Sequence, residues 1–118
     1  MSESEAQGIG RIVFYEGNDG TQNIVHSTND DPGQDFEPNK NDEARSVQLL
    51  GVRAGALIQV YDSPSASETD DFCFIETKKR ITDYTVGTFE KSYEDDSVFV
   101  IYGRNNGLDG KVSRIRIS

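Results

Sequence analysis

The chain has 118 residues, 21 of them acidic against 12 basic, and its formal charge of −9 repels phosphate backbones and anionic lipid, which argues against nucleic-acid and membrane partners. Only 34% of residues are hydrophobic and 28% are charged, yet the apolar residues fall into short alternating runs, so one folded β domain with long polar loops is expected rather than disorder. A single cysteine, Cys73, excludes an internal disulfide, and one cysteine with one histidine, His26, falls short of the usual zinc ligand set.

Residues 1–9 are small, polar and acidic and read as a disordered tail. They have neither the basic region nor the apolar stretch of a signal peptide, and no later apolar run reaches membrane-spanning length, so a cytoplasmic location is expected. Residues 11–15 read as a strand, and the Asp19-Gly20 pair beyond it suits the positive φ of a tight turn. Strand character resumes over 23–27. Residues 28–40 read as a loop with two prolines, in which Phe36 is the one large apolar anchor. Strands follow at 45–51, with Val47 and Leu49 on one face, and at 56–61. After a polar loop over 63–71, residues 72–77 alternate, with Cys73, Ile75 and Thr77 on one face and Phe72, Phe74 and Glu76 on the other. Further strands are expected over 84–89 and 97–102. Asn106-Gly107 and Asp109-Gly110 are primed-turn dipeptides, and residues 112–117 form a closing strand. No helical period is sustained, and many short strands between turn signals predict an all-β sandwich.

Two stretches repeat. IVFYEG (12–17) and IQVYDS (58–63) are strands that end in a tyrosine and an acid. NDEARSVQL (41–49) and DGKVSRIRI (109–117) are polar loops that run into an alternating strand. The repetition divides residues 10–118 into two similar units, one over about 10–53 and one over about 54–118. The second unit is the longer, and its insertion is expected within 78–95, where the pattern is weakest.

On these residues the chain resembles the βγ-crystallin family, and within it the single-domain fungal members. The family's loop reads Asn/Asp, Asn/Asp, any, any, Ser/Thr, Ser before an alternating strand. NDEARSV (41–47) departs from it only at Arg45. DGKVSRI (109–115) keeps Asp109 and Ser113 and departs at Gly110 and Arg114. The aromatic usual inside the first folded hairpin is also missing. The resemblance spans residues 11–117. It implies two Greek-key motifs packed as a β-sandwich, a non-enzymatic structural or stress-related role, and two calcium sites shared crosswise between the loops.

Carried over residue by residue, the first site would take the carbonyl of Glu16, position 45, and the second loop around Gly110 and Lys111. Arg45 offers no oxygen and a fixed positive charge. At about 4 Å from a divalent cation that repulsion is several kcal/mol even at a surface-like dielectric, so this site is expected to be disabled. The second site would take the carbonyl of Asp62, the hydroxyl of Ser113, the carboxylate of Asp42 and the carbonyl of Glu43. This oxygen set is intact but poor in carboxylates, and implies weakly bound calcium or no cofactor at all.

The same loops can be read without a metal. Asn and Asp before a strand are ordinary turn residues, and an ion pair from Arg45 would bridge the loops permanently. A weak calcium-binding module around Asp42 and Ser113 is the alternative function. An inhibitor- or toxin-like sandwich is a further one, although such domains usually carry disulfides. Three adjacent acid pairs, Asp30-Asp31, Asp70-Asp71 and Asp95-Asp96, could in principle serve glycoside hydrolysis. All lie in polar stretches where solvated charge is the default, so no catalytic residue is assigned. His26 reads as a strand-edge residue and Cys73 as a small packed one. The sequence names no partner, and an acidic surface with free strand edges suits a monomer or a weak homodimer.

Overall fold

The computed structural model describes residues 10–118; the tail expected at 1–9 lies outside the described residues. The strands are β1 (Arg11–Gly17), β2 (Thr21–Asn29), β3 (Gln34–Phe36), β4 (Ser46–Val52), β5 (Leu57–Tyr61), β6 (Phe72–Thr77), β7 (Ile81–Val86), β8 (Tyr93–Glu94), β9 (Val98–Gly103) and β10 (Arg114–Ile117). They form two sheets, one in the order β2-β1-β4-β7 and one in the order β3-β10-β5-β6-β9-β8. Every pairing is antiparallel.

Alternation selects the inner faces. In β6, Cys73, Ile75 and Thr77 are buried, while Phe72, Phe74 and Glu76 face outward. Ile58 and Val60 of β5, Val98 and Val100 of β9, and Ile115 and Ile117 of β10 line the same side. Opposite them stand Ile12 and Phe14 of β1, Val47 and Leu49 of β4, and Val25 of β2. Five apolar residues outside the strands, Ala44, Ala56, Phe89, Leu108 and Val112, are wholly buried and close the core.

Each half lends a strand to the other half's sheet. The early strand β3 pairs with the last strand β10, and β7 pairs with β4. The segment 28–40, expected as a loop, therefore contains a strand. Phe36 sits on it, opposite Ile115, and packs against the core.

The region 78–95 holds a regular strand, β7, which begins three residues before the expected position. Its pattern is hard to read for a physical reason. Buried positions in the paired β4 run Val47, Leu49, Val52, so the face flips where Gly51 takes a left-handed φ of 63°. Ile81 and Val86 follow that flip in register. Most of the added length of the second half lies between β7 and β10, running past the expected 78–95, where the β8–β9 hairpin extends the six-stranded sheet; the longer β5–β6 loop adds the rest.

The turn after β1 has Asp19 at φ 61° and Gly20 at φ 69°, as the dipeptide requires. The two later dipeptides do not form primed turns. Gly107 and Gly110 have positive φ, but their partners do not, and Arg104 and Asn105 take that conformation instead. The reason is tertiary: the Asn106 amide donates to the carboxylate of Asp71 across the surface.

Candidate functional site

The loops before β4 and β10 lie side by side and are bonded to each other in a twofold pattern. The Asp42 amide donates to Val112 O at 3.1 Å, and the Gly110 amide donates to Ala44 O at 2.9 Å. In each case the second position of one loop bonds the fourth position of the other. The fifth positions correspond as well: the Arg45 amide donates to Tyr15 O and the Ser113 amide to Tyr61 O, both at 2.8 Å. The repeated tyrosines thus receive the repeated loops. Asp42 takes a φ of 63°, a conformation Asp tolerates better than most residues.

The side chains break the symmetry. Ser113 Oγ donates to Asp42 Oδ1 at 3.0 Å, so the hydroxyl and carboxylate expected at the second site meet. Asp62 belongs to the same neighbourhood. Its carboxyl is held above the usual carboxylate range, first by burial and then by the negative charges of Asp70, Asp42 and Asp71, while the Lys111 ammonium acts in the opposite sense. Glu43 follows Asp42 directly and is half-buried.

At the other fifth position the Arg45 guanidinium lies over Gly110: a methyl group there would stand 3.1 Å from Arg45 Nη2 and 3.3 Å from Cζ. The ion pair expected from Arg45 is not formed among the described residues, whose ion pairs are Lys78–Glu94 and the contacts of Arg114 and Arg116 with Asp35 and Glu37. Arg45 faces the backbone of Gly110, a position with no side chain to pair with it. The Glu16 carboxylate accepts from Asn23 Nδ2 at 3.1 Å, and the Lys111 amide closes a turn onto Leu108 O.

The sixth loop position also differs between the halves. Ser46 is buried; its Oγ donates to Gly17 O at 2.7 Å and accepts from the Gly20 amide at 2.9 Å, clipping the β1–β2 turn onto β4. Arg114 stands at the equivalent place and instead pairs with Asp35 at 2.7 Å.

The fit to a cation is therefore one-sided. Hard oxygens gather around Asp42, Ser113 and Asp62, which suits a weakly held calcium ion. The Arg45 side offers neither a hydroxyl at position 45 nor an acid at position 110 and does not fit one. Among the described residues no three His, Cys, Asp or Glu side chains are grouped to hold a metal ion by themselves, so any cation here would depend on main-chain carbonyls.

Several organising carboxylates carry no signal in the sequence for the donors they hold. Asp30 and Asp71, expected as solvated loop charges, are buried at 2% and 1% exposure. Asp30 accepts from the Arg53 amide, and Asp71 from Tyr102 Oη and the Asn106 amide. Asp95 accepts from the Ser97 and Val98 amides and from Tyr84 Oη, and its carboxyl is held below its usual value, chiefly by the tyrosine. Asp109, read as a turn residue, accepts from Asn18 Nδ2, Thr88 Oγ1 and the Phe89 amide. Asp beside Asp or Gly is common in any polar loop, so only the folded neighbours distinguish these residues. Cys73 is buried, and burial pushes its thiol well above the usual range, which suits packing rather than reactivity.

Comparison with known proteins finds no matching family model, no matching curated protein and no matching solved structure.

Proposed function

We propose that the chain is a non-enzymatic structural domain of βγ-crystallin type, a double Greek key in which a permanent internal contact replaces one calcium clamp. The twofold bonding of the two loops carries this reading: equivalent main-chain groups of NDEARS and DGKVSR bond each other and the two repeated tyrosines. The exchange of β3 and β7 between the sheets agrees with it. In this reading Arg45 over Gly110 holds the loops together where the first cation would have done so. The role is mechanical, a long-lived compact fold of structural or stress-related use.

A second reading, a weak calcium module, is favoured by one observation, the convergence of Ser113 and Asp42 at 3.0 Å. Thermal melts of calcium-stripped protein, with and without millimolar calcium and with magnesium as control, separate the two. A ligand held only by the folded state raises its stability by about 1.4 kcal/mol at ten times its dissociation constant. The structural reading expects no calcium-specific rise in the parent and a clear one in Arg45→Ser. A rise in the parent promotes the module. An Arg45→Ser protein that gains nothing overturns the assignment of the first site.

A further inference from the structure

His26 lies on β2, at the edge of the four-stranded sheet, and Phe36 lies on β3, at the edge of the six-stranded sheet. Their rings stack with centroids 4.6 Å apart and planes 16° from parallel. Three residues beyond Phe36, the Asn39 amide donates to His26 Nδ1 at 2.9 Å. A main-chain amide can only donate, so Nδ1 carries no proton here and the imidazole is neutral.

We propose that His26 is an acid-operated latch between the two sheets: neutral, it fastens β2 to the segment from Phe36 to Asn39, and on protonation it releases that segment. A proton on Nδ1 would face the Asn39 amide donor to donor. The hydrogen bond would be lost, and a charged ring would stand against Phe36, itself packed on the core. The groups that face His26 do not compensate. Phe14 lies opposite on β1, Phe36 on β3 and Asn39 on the loop, and none of them is charged. Asp35 and Glu37, beside Phe36, are engaged by Arg114. Burial alone holds the imidazole below its ordinary value of 6.5, with no charged group contributing.

The sign follows from linkage. The unfolded or released chain takes the proton more readily, so the latch is at full strength above the ordinary histidine range and weakens as pH falls through the interval below it.

The test is NMR of isotope-labelled protein from about pH 8 down to about pH 5, which spans the histidine range. The ring protons of His26 and the exchange protection of the Asn39 amide are followed together, with the Ile75 amide as a core control. The latch expects a His26 midpoint below 6.5 and Asn39 protection falling about tenfold per pH unit within that window. Ile75 should stay protected. In His26→Phe, which keeps the stack and removes the acceptor, the Asn39 amide should be unprotected at every pH. The proposal is overturned if Asn39 stays protected while His26 titrates, if the midpoint lies at or above the ordinary value, or if Ile75 loses protection in parallel. The first two arms need only the parent protein, so they decide even if the variant does not fold.

Discussion

At the level of single residues, the two halves differ at the fifth loop position, Arg45 against Ser113, and at the second, Asp42 against Gly110. Gly110 sits at a φ of 81°, where a Cβ is costly, and the Arg45 guanidinium would crowd such a Cβ at 3.1 Å. Gly110 and Arg45 are thus matched to each other: a side chain at position 110 would meet the guanidinium. On the other side, Asp42, Asp70, Asp71 and Asp62 share a neighbourhood in which Lys111 is the opposing charge. The folded state holds the Asp62 proton more tightly than the unfolded chain does. Charged Asp62 therefore detracts from stability at neutral pH, and that cost fades as pH falls toward its ordinary value of 3.8. Asp62→Asn is expected to raise the melting midpoint at neutral pH, with the gain shrinking toward nothing near about pH 3. Melts of both proteins across that range check it, and an equal gain at both ends would assign the effect to packing.

Among the elements, the β8–β9 hairpin is the one without a counterpart in the first half, and polar contacts between the segments on either side of it, together with its own tyrosine, bind it to the sandwich. Asp109 reaches back to Thr88, Phe89 and Asn18, while Glu90 Oε2 accepts the Leu108 and Asp109 amides, both at 2.8 Å. The two carboxylates cap each other's loops. Tyr93 Oη meets Tyr84 Oη at 2.9 Å, and Tyr84 donates on to Asp95, so β7 is tied to β8 and to the turn before β9. Burial first, and then these hydrogen bonds, push the Tyr84 hydroxyl well above the usual tyrosine range. Removing a charged acceptor that serves three donors leaves the Phe89 amide unpaired, so Asp109→Ala should cost roughly 2 kcal/mol. The exposed Asp96, on the turn before β9, is the control, and Asp96→Ala should stay within about 0.5 kcal/mol. Urea denaturation of both variants measures the difference; equal midpoints would deny Asp109 its structural role.

For the whole molecule, the exchanged strands make the halves interdependent. A fragment ending at residue 53 has β3 but not its partner β10, and a fragment starting at 54 has β7 but not its partner β4. Each would expose an unpaired sheet edge and half of a core whose other face is absent. Neither fragment is expected to fold alone, whereas the full chain should unfold in one cooperative transition. Circular dichroism of the separate fragments tests this, and a cooperative melt in either one would show that its half is self-sufficient.

Strand-length alternation and turn residues lie within the chain's own local chemistry. They are enough to predict an all-β sandwich, the two repeats, the division of β6 into two alternating faces and the positive φ of the Asp19-Gly20 turn. Asp42 and Ser113 were legible too, because a repeated pattern of residue types marks them. Other features required the partner across space. β3 is three residues long and is held as a strand by β10, so no period of its own could announce it. β7 follows a face flip that originates at Gly51 in another strand. The buried Asp30 and Asp71 look like any surface acid until the amides that face them are known. Arg45 could be read as a charge at a ligand position, but only the packed loops decided that it faces the backbone of Gly110 and not a carboxylate. Local conformation follows from residues a few positions apart, whereas pairing, burial and charge environment depend on groups that only the closed sandwich brings together.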